Sequence, residues 1–216
     1  MIDNLVFEMR RLEDQLACDE HPPDPGQPAK SRASRFASAK DRDEFVAARI
    51  SLQLFAATLL NVEPQQLVAN YHCPQCGQGQ DHGRPGFLLD GGPAPIALSA
   101  SRASGWVLLA GVAHAPEELR LGVDLESTGK ATFEGFDDVA LTATEKSFLS
   151  TIPDQERDSQ RARLWARKEA WLKMTGEGLR HNPAELDVLE RRGVQDLDIV
   201  GGRALPDGLV AALAIG

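Results

Sequence analysis

Long apolar runs are missing from the sequence, since no stretch reaches the length of about eighteen apolar residues that a membrane-spanning helix needs. The first residues, MIDNLVFEMRRLEDQ, carry acids where a secretory signal would be basic and then apolar. The three cysteines are too few, and odd in number, for a disulfide framework. We therefore expect a cytoplasmic protein without a membrane partner.

An excess of positive charge is also missing, because the formal net charge is −9 at pH 7. Proteins that bind duplex nucleic acid need a basic face, so we expect no nucleic-acid partner. The basic residues are concentrated in residues 30–49 and 157–173. Two basic stretches in an acidic chain fit a bound small anion, but they also fit two solvated helix faces, and the charge pattern leaves both open.

Two common catalytic motifs are absent. The sequence contains no Gly-x-Ser-x-Gly, which disfavours a Ser/His/Asp hydrolase, and no glycine-rich phosphate loop of the Walker type. It also lacks short-period repeats and low-complexity segments. A chain of 216 residues with this composition fits one or two compact domains.

The spacing of apolar residues predicts the main elements. Periods of three and four predict helices over residues 41–60 and 154–174, and an amphipathic helix near the start, at residues 5–16. A further helix is predicted at about residues 142–149, opened by a cap in TATE. The proline-rich residues 19–31 predict a loop.

Apolar stretches predict strands at residues 95–100, 105–113 and 119–127, and short strands at residues 185–190, 194–200 and 209–215. Each half therefore shows a long helix followed by strands. This order predicts an α/β (α+β) fold with two parts, residues 1–115 and 116–216.

Acidic residues are arranged in a way that suits a hard metal ion. Asp124 and Glu126 alternate on one face of the predicted strand, and Glu169 lies on a predicted helix one turn before Lys173. Carboxylate oxygens are the ligands that Mg²⁺ prefers. Acids at this spacing are also common on solvated strands, and Glu–Lys pairs are common on helices, so the residues alone leave both interpretations open.

The order of two motifs resembles the signature of the Sfp-type 4′-phosphopantetheinyl transferases. In that signature, Gly-(Val/Ile)-Asp-x-Glu precedes (Trp/Phe)-(Ser/Cys/Thr)-x-Lys-Glu-(Ala/Ser)-x-x-Lys. The matching residues are Gly122, Val123, Asp124, Glu126, Trp165, Lys168, Glu169, Ala170 and Lys173. Ala166 departs from the usual small polar residue. Upstream, SRFASAKDRDEFVAARISL and CGQGQDHGRPGF are also similar to the family, and the resemblance runs from about residue 31 to the end.

The resemblance implies an enzyme, a holo-[acyl-carrier-protein] synthase. It would use Mg²⁺ or Mn²⁺ to transfer the 4′-phosphopantetheine of coenzyme A to a serine hydroxyl of an apo acyl or peptidyl carrier protein, releasing 3′,5′-ADP. It also implies a monomer of two similar subdomains related by a pseudo-twofold axis, with the active site in the cleft between them. The first would bind the 3′-phosphate of coenzyme A and the second would carry the magnesium and catalytic residues.

The resemblance also implies roles for individual residues. The metal ligands would be Asp124, Glu126 and Glu169, and the catalytic residues would be Glu169 and Lys173. The candidates for binding coenzyme A are Arg49, His82, Arg84, Ser101 and Arg102, with Arg32 and Lys30 also within reach. Arg102 stands where the family has histidine. The candidates for contacting an acidic carrier are Arg161, Arg163 and Arg167.

Two other classes of function stay open. One is a metal-dependent phosphohydrolase or nuclease that uses the same carboxylates, although the net charge counts against it. The other is a non-catalytic protein that binds coenzyme A or a carrier.

A zinc site is conceivable in HCPQC, with His82 and His72 nearby. Structural zinc sites usually bring two ligand pairs at regular spacing. We therefore expect Cys73 and Cys76 to shape a turn beside a coenzyme A pocket.

Overall fold

Two long helices, each packed against an antiparallel sheet, organise the computed structural model, which describes residues 4–18, 22–74 and 76–216. The chain divides into two compact units, residues 1–119 and 120–216. The predicted mixed α/β class is confirmed. Within the described residues, no helix combines the length and apolar character needed to span a bilayer.

The described residues of the first unit form three α-helices and eight strands. They are α1 (Leu12–Cys18), α2 (Gln27–Ala33), α3 (Ala39–Leu60), β1 (Val6–Arg11), β2 (Val68–Ala69), β3 (Tyr71–Cys73), β4 (Gly77–Gln80), β5 (Phe87–Leu89), β6 (Gly92–Pro93), β7 (Ile96–Ala103) and β8 (Trp106–Ala113). The main sheet has the order β1-β8-β7. Helix α3 packs against it through a core that includes Phe55, Leu98 and Leu109. The predicted helix at residues 41–60 is confirmed.

Strands β7 and β8 form the predicted hairpin, but its turn is shorter than expected. Ser104 and Gly105 both have positive φ, at 50° and 77°, as a two-residue hairpin turn requires. Ser101 and Arg102 therefore belong to β7, where Arg102 pairs with Val107.

Two predictions near the start of the chain are wrong. The stretch predicted as an amphipathic helix is partly β1, which pairs antiparallel with β8, Met9 lying opposite Leu108. The spacing of apolar residues within a short stretch carries no information about pairing with a strand about a hundred residues away. The proline-rich segment contains α2, because Pro28 lies in its first turn, where the missing N–H has no helical partner to lose. Residues 1–3 and 19–21 lie outside the described residues.

The second unit contains three helices and five strands. They are α4 (Phe136–Ala140), α5 (Ala143–Ser150), α6 (Asp154–Thr175), β9 (Leu121–Ser127), β10 (Val194–Asp196), β11 (Ile199–Val200), β12 (Arg203–Ala204) and β13 (Leu209–Ile215). The main sheet has the order β10-β13-β9. The strand predicted at residues 185–190 is wrong: after a 3-10 turn at Pro183–Glu185, Leu186 and Val188 enter the core as irregular chain.

Local signals set the ends of the helices in this unit. Thr142 caps α5 in a capping box with Glu145, as TATE suggests, and Gly176 ends α6 in the left-handed conformation. Gly122 serves a different purpose. A Cβ atom on Gly122 would lie 2.0 Å from the backbone oxygen of Ala170, so only glycine lets β9 approach α6 this closely.

Candidate active site

The close approach of α6 to β9 brings Lys173 onto Asp124. Asp124 is buried, with 3% of its surface exposed, and the Lys173 Nζ atom lies 2.6 Å from its Oδ1. The same Nζ donates to the backbone oxygen of Val123 at 3.2 Å. The acid of the strand and the lysine of the helix therefore form an ion pair with limited access to solvent.

Ionisation of the other two acids, Glu169 and Glu126, is disfavoured by their surroundings. The pKa of Glu169 is raised to about 7, first by burial and then by the negative charge of Asp124, with Glu126 adding to it and Lys173 opposing it. The pKa of Glu126 is also raised, first by burial and then by Asp124. The negative charge of Asp124 thus disfavours ionisation of both Glu126 and Glu169.

This set of donors fits a divalent cation chemically, because a cation would neutralise three oxygen ligands that repel each other. The three carboxylates, however, do not all lie close enough together to bind one ion without moving. Among residues 4–18, 22–74 and 76–216, one group of three His, Cys, Asp or Glu side chains has all its potential ligand atoms within 4.8 Å of one another, and it is Cys73, Cys76 and His82. The acids stand wider apart, so at least one carboxylate would have to turn to share an ion.

Lys168, which the motif places beside Glu169, lies in the core instead of the site. Its side chain and that of Glu145 are both fully buried, and they form an ion pair at 2.7 Å. Lys168 also donates to the backbone oxygens of Pro183, at 2.8 Å, and Leu186. Burial lowers its pKa, and the bond to Glu145 opposes that shift. Lys168 therefore joins α6, α5 and the 183–186 segment.

The three arginines predicted to contact a carrier are bonded to acids of their own unit. Arg161 bonds to Asp137 at 2.6 Å, and both Arg163 and Arg167 bond to Asp196 of β10. Their side chains are between 13% and 25% exposed. Their positive charge is therefore largely balanced within the protein.

An apolar groove of about 450 Å³ borders Glu126. Its lining includes Phe133, Val139 and Trp165, and the first two are about 60% exposed. Sequence reasoning missed this groove, although TFEGFDDVA places apolar residues among polar ones. Exposed apolar surface of this kind is typical of a binding site.

In the first unit, several predicted residues gather around Asp81, which was not predicted. Arg32 and Arg49 donate to its backbone oxygen at 3.1 and 2.7 Å, and Arg35 bonds to its carboxylate. His82 bonds to the same carboxylate at 2.7 Å. The pKa of Asp81 is lowered, first by His82 and then by the charges of the arginines, so it stays ionised.

Arg102 completes a group of arginines. Its guanidinium lies 3.7 Å from Glu44, and its charge acts on Arg32 together with those of Arg35 and Arg49. The pKa of Arg32 is lowered, first by burial and then by these neighbouring cations. We call Arg32, Arg35, Arg49 and Arg102 the arginine cluster. It contains four guanidinium groups against the carboxylates of Asp81 and Glu44, so it is suited to bind an anion.

The remaining predicted phosphate ligands take different positions. Lys30 pairs with Asp24 at 2.8 Å. The backbone of Arg84 forms an isolated β-bridge with His72. Sequence reasoning missed Arg35 as a site residue, although it follows Arg32 by three positions.

Comparison with known proteins finds similarity over the segment that carries the three acids. Residues 120–204 match the family model of the 4′-phosphopantetheinyl transferase superfamily. That segment contains Asp124, Glu126 and Glu169. The chain is also 28% identical over 165 residues to the 4′-phosphopantetheinyl transferase HetI of Nostoc sp. (strain PCC 7120 / SAG 25.82 / UTEX 2576). The alignment covers 74% of this chain and 61% of the length of that relative.

Proposed function

We propose that this protein is an Sfp-type 4′-phosphopantetheinyl transferase that moves the phosphopantetheine arm of coenzyme A to a serine of an apo acyl or peptidyl carrier protein. The observation that supports it most is the meeting of Asp124, Glu126, Glu169 and Lys173 within the segment that matches the superfamily. In the metal-free protein the pKa of Glu169 is raised to about 7, as expected for a carboxyl group buried beside other acids.

In the proposed reaction, the serine oxygen forms a bond to the phosphorus of phosphopantetheine, and the bond from that phosphorus to the 3′,5′-ADP oxygen breaks. Glu169 takes the serine proton, directly or through a water molecule. Lys173 donates to the departing diphosphate oxygens and so stabilises the charge that develops there. Mg²⁺ or Mn²⁺ bound by Asp124, Glu126 and Glu169 would supply a Lewis acid for the diphosphate.

We place the 3′-phosphate of coenzyme A at the arginine cluster, because a dianion would balance its excess positive charge. We place an apolar part of the carrier in the groove beside Glu126. Arg161 bonds to Asp137 of α4, and α4 contributes Val139 to this groove. An acidic carrier would therefore meet an arginine whose positive charge is already partly neutralised by an acid of this protein.

The function is tested by incubating the protein with coenzyme A, Mg²⁺ and a panel of apo carriers from fatty-acid, polyketide and peptide systems. We expect at least one carrier to gain the mass of one phosphopantetheine, and 3′,5′-ADP to appear in equal amount. A carrier whose acceptor serine is replaced by alanine is the control and should gain nothing.

The alternatives give different results in the same experiment. A phosphohydrolase would release 3′,5′-ADP without any carrier, and a non-catalytic binding protein would leave every carrier unmodified. Either result, with the protein folded and Mg²⁺ present, would contradict the proposal.

Arg102→Ala tests the placement of the 3′-phosphate. We expect the KM for coenzyme A to rise about 10- to 100-fold, because a charge-assisted hydrogen bond contributes about 1.5–3 kcal/mol. The KM for dephospho-coenzyme A, which lacks this phosphate, should not change. Steady-state kinetics with a fixed carrier measure both constants.

Arg11→Ala is the matched control for Arg102→Ala, because Arg11 is an exposed arginine of the same unit that is paired with Glu13. It should leave both KM values unchanged. An equal rise for coenzyme A and dephospho-coenzyme A in Arg102→Ala would place the 3′-phosphate elsewhere.

A further inference from the structure

Two thiols and an imidazole converge in the first unit. One potential ligand atom from each of Cys73, Cys76 and His82 lies within 4.8 Å of those of the other two. Cys73 is buried, Cys76 is exposed and His82 is partly exposed. The group therefore has an inner side enclosed by protein and an outer side open to solvent.

The backbone is built to make this convergence possible. His72 and Arg84 exchange backbone hydrogen bonds at 2.9 and 2.8 Å, and Gly83 lies between Arg84 and His82. A Cβ atom on Gly83 would come within 2.3 Å of the His72 backbone oxygen, and its φ is +95°. Only glycine lets the segment that carries His82 approach the strand that carries Cys73.

The second cysteine is placed by the turn between β3 and β4. Strands β3 and β4 pair antiparallel with Cys73 opposite Gly77, and Gly77 adopts a φ of +85° directly after Cys76. Because Gly77 lies opposite Cys73, the neighbouring Cys76 is brought close to Cys73.

His82 is oriented by a carboxylate on its far side. Its Nδ1 lies 2.7 Å from Oδ1 of Asp81. Metal-binding histidines usually hold a carboxylate or carbonyl with the nitrogen that does not face the metal, which fixes the ring and its tautomer. With Nδ1 held by Asp81, Nε2 is the ring nitrogen that can face the two sulfur atoms.

We propose that Cys73, Cys76 and His82 bind one Zn²⁺ ion, whose fourth position is taken by a small ligand from solvent. Two thiolates and an imidazole favour zinc over the hard ions Mg²⁺ and Mn²⁺. The sequence argument against zinc was the lack of a second pair of ligands. The structure replaces that pair with one histidine, and His72 is not a member of the group.

The ion has a structural task in this unit. Strands β3 and β4 have three and four residues, and a two-stranded hairpin of that length is marginal in water. A zinc ion joining Cys73 to His82 would hold the segment that ends in Asp81, on whose backbone oxygen Arg32 and Arg49 converge. The zinc site would thus support the arginine cluster, whatever reaction the protein catalyses.

Metal analysis of the purified, untagged protein tests the proposal. We expect about one zinc per chain by inductively coupled plasma mass spectrometry. Titration of the wild-type thiols with a mercurial reagent should release that zinc into a colorimetric chelator. Protein produced with cobalt in place of zinc should show the thiolate charge-transfer band and the intense visible bands of a tetrahedral site.

Cysteine variants provide the matched comparison. Cys73→Ser and Cys76→Ser should lose the zinc, whereas Cys18→Ser, at the remaining cysteine of the chain, should keep it. The mercurial and cobalt measurements need no variant, so they decide the matter even if the serine variants fail to fold. Wild-type protein without zinc or a cobalt–thiolate band, or with Cys73 and Cys76 joined in a disulfide, would overturn the proposal.

Discussion

Glu169→Gln should lower the rate of carrier modification by a factor of about 10² to 10⁴, the usual contribution of a general base. Glutamine keeps the size of the side chain but cannot accept the serine proton, and it is a poorer ligand for a divalent cation. The rate is measured as 3′,5′-ADP release at saturating coenzyme A and carrier.

The same substitution should make the metal-free protein more stable at neutral and alkaline pH. The pKa of Glu169 rises from 4.5 to about 7 on folding, so the folded state binds this proton more tightly than the unfolded state. The stability that the proton contributes is present at low pH and is lost as pH rises between these two values. At pH 8 the cost of the ionised group is about 1–3 kcal/mol, and glutamine avoids it.

Measuring the stability of Glu169→Gln distinguishes the loss of a general base from the loss of folded structure as the cause of low activity. Urea unfolding in a metal chelator, at pH 5 and pH 8, should show a gain for Glu169→Gln at pH 8 that is much smaller at pH 5. Glu134→Gln, at an exposed glutamate of the same unit, should change neither activity nor stability. A Glu169→Gln protein that is inactive and also less stable at pH 8 would contradict this account of the site.

Lys168→Met should destabilise the protein by about 3–5 kcal/mol, which is typical when one partner of a buried ion pair is removed. The change leaves the Glu145 carboxylate buried without its cation, and it removes the donor from the backbone oxygens of Pro183 and Leu186. Denaturant unfolding of the metal-free protein measures the loss. Coenzyme A is unnecessary for this experiment, because the role assigned to Lys168 is in the core.

A double substitution tests whether the pair is the cause. Adding Glu145→Gln to Lys168→Met removes the isolated charge and keeps an oxygen that can accept from the backbone N–H of Val188. We expect the double variant to be more stable than Lys168→Met alone. Lys146→Met, which removes a lysine bonded to the exposed Asp138, should have little effect. Equal losses for Lys168→Met and Lys146→Met would contradict the structural role.

Lys168 also shows the limit of a motif. The sequence places it directly before Glu169, and neighbouring residues of a helix point in directions about 100° apart. One of them therefore faces Asp124 while the other faces Glu145 in the core. The motif predicts that both residues matter, but it does not reveal that one of them acts through stability.

The arginine cluster shows a second limit. Basic residues between positions 30 and 49 are visible in the sequence, and their position supports a prediction of anion binding. Their common partner, Asp81, follows Arg35 by 46 positions. The sequence contains no signal for that contact, because it depends on how Gly83 and its neighbours fold the 71–84 segment against α2 and α3.

Signals confined to neighbouring residues were sufficient for α3, α5, α6, the β7–β8 hairpin and strand β9, because apolar periodicity, capping residues and turn residues act over a few positions of chain. The acid pattern on β9 and α6 was visible for the same reason. The tertiary structure decided the high pKa of Glu169, the burial of Lys168 and the meeting of Cys73 with His82. The first two depend on desolvation and on partners from distant parts of the chain, and the third depends on the close backbone approach that Gly83 allows. None of these is encoded in local spacing.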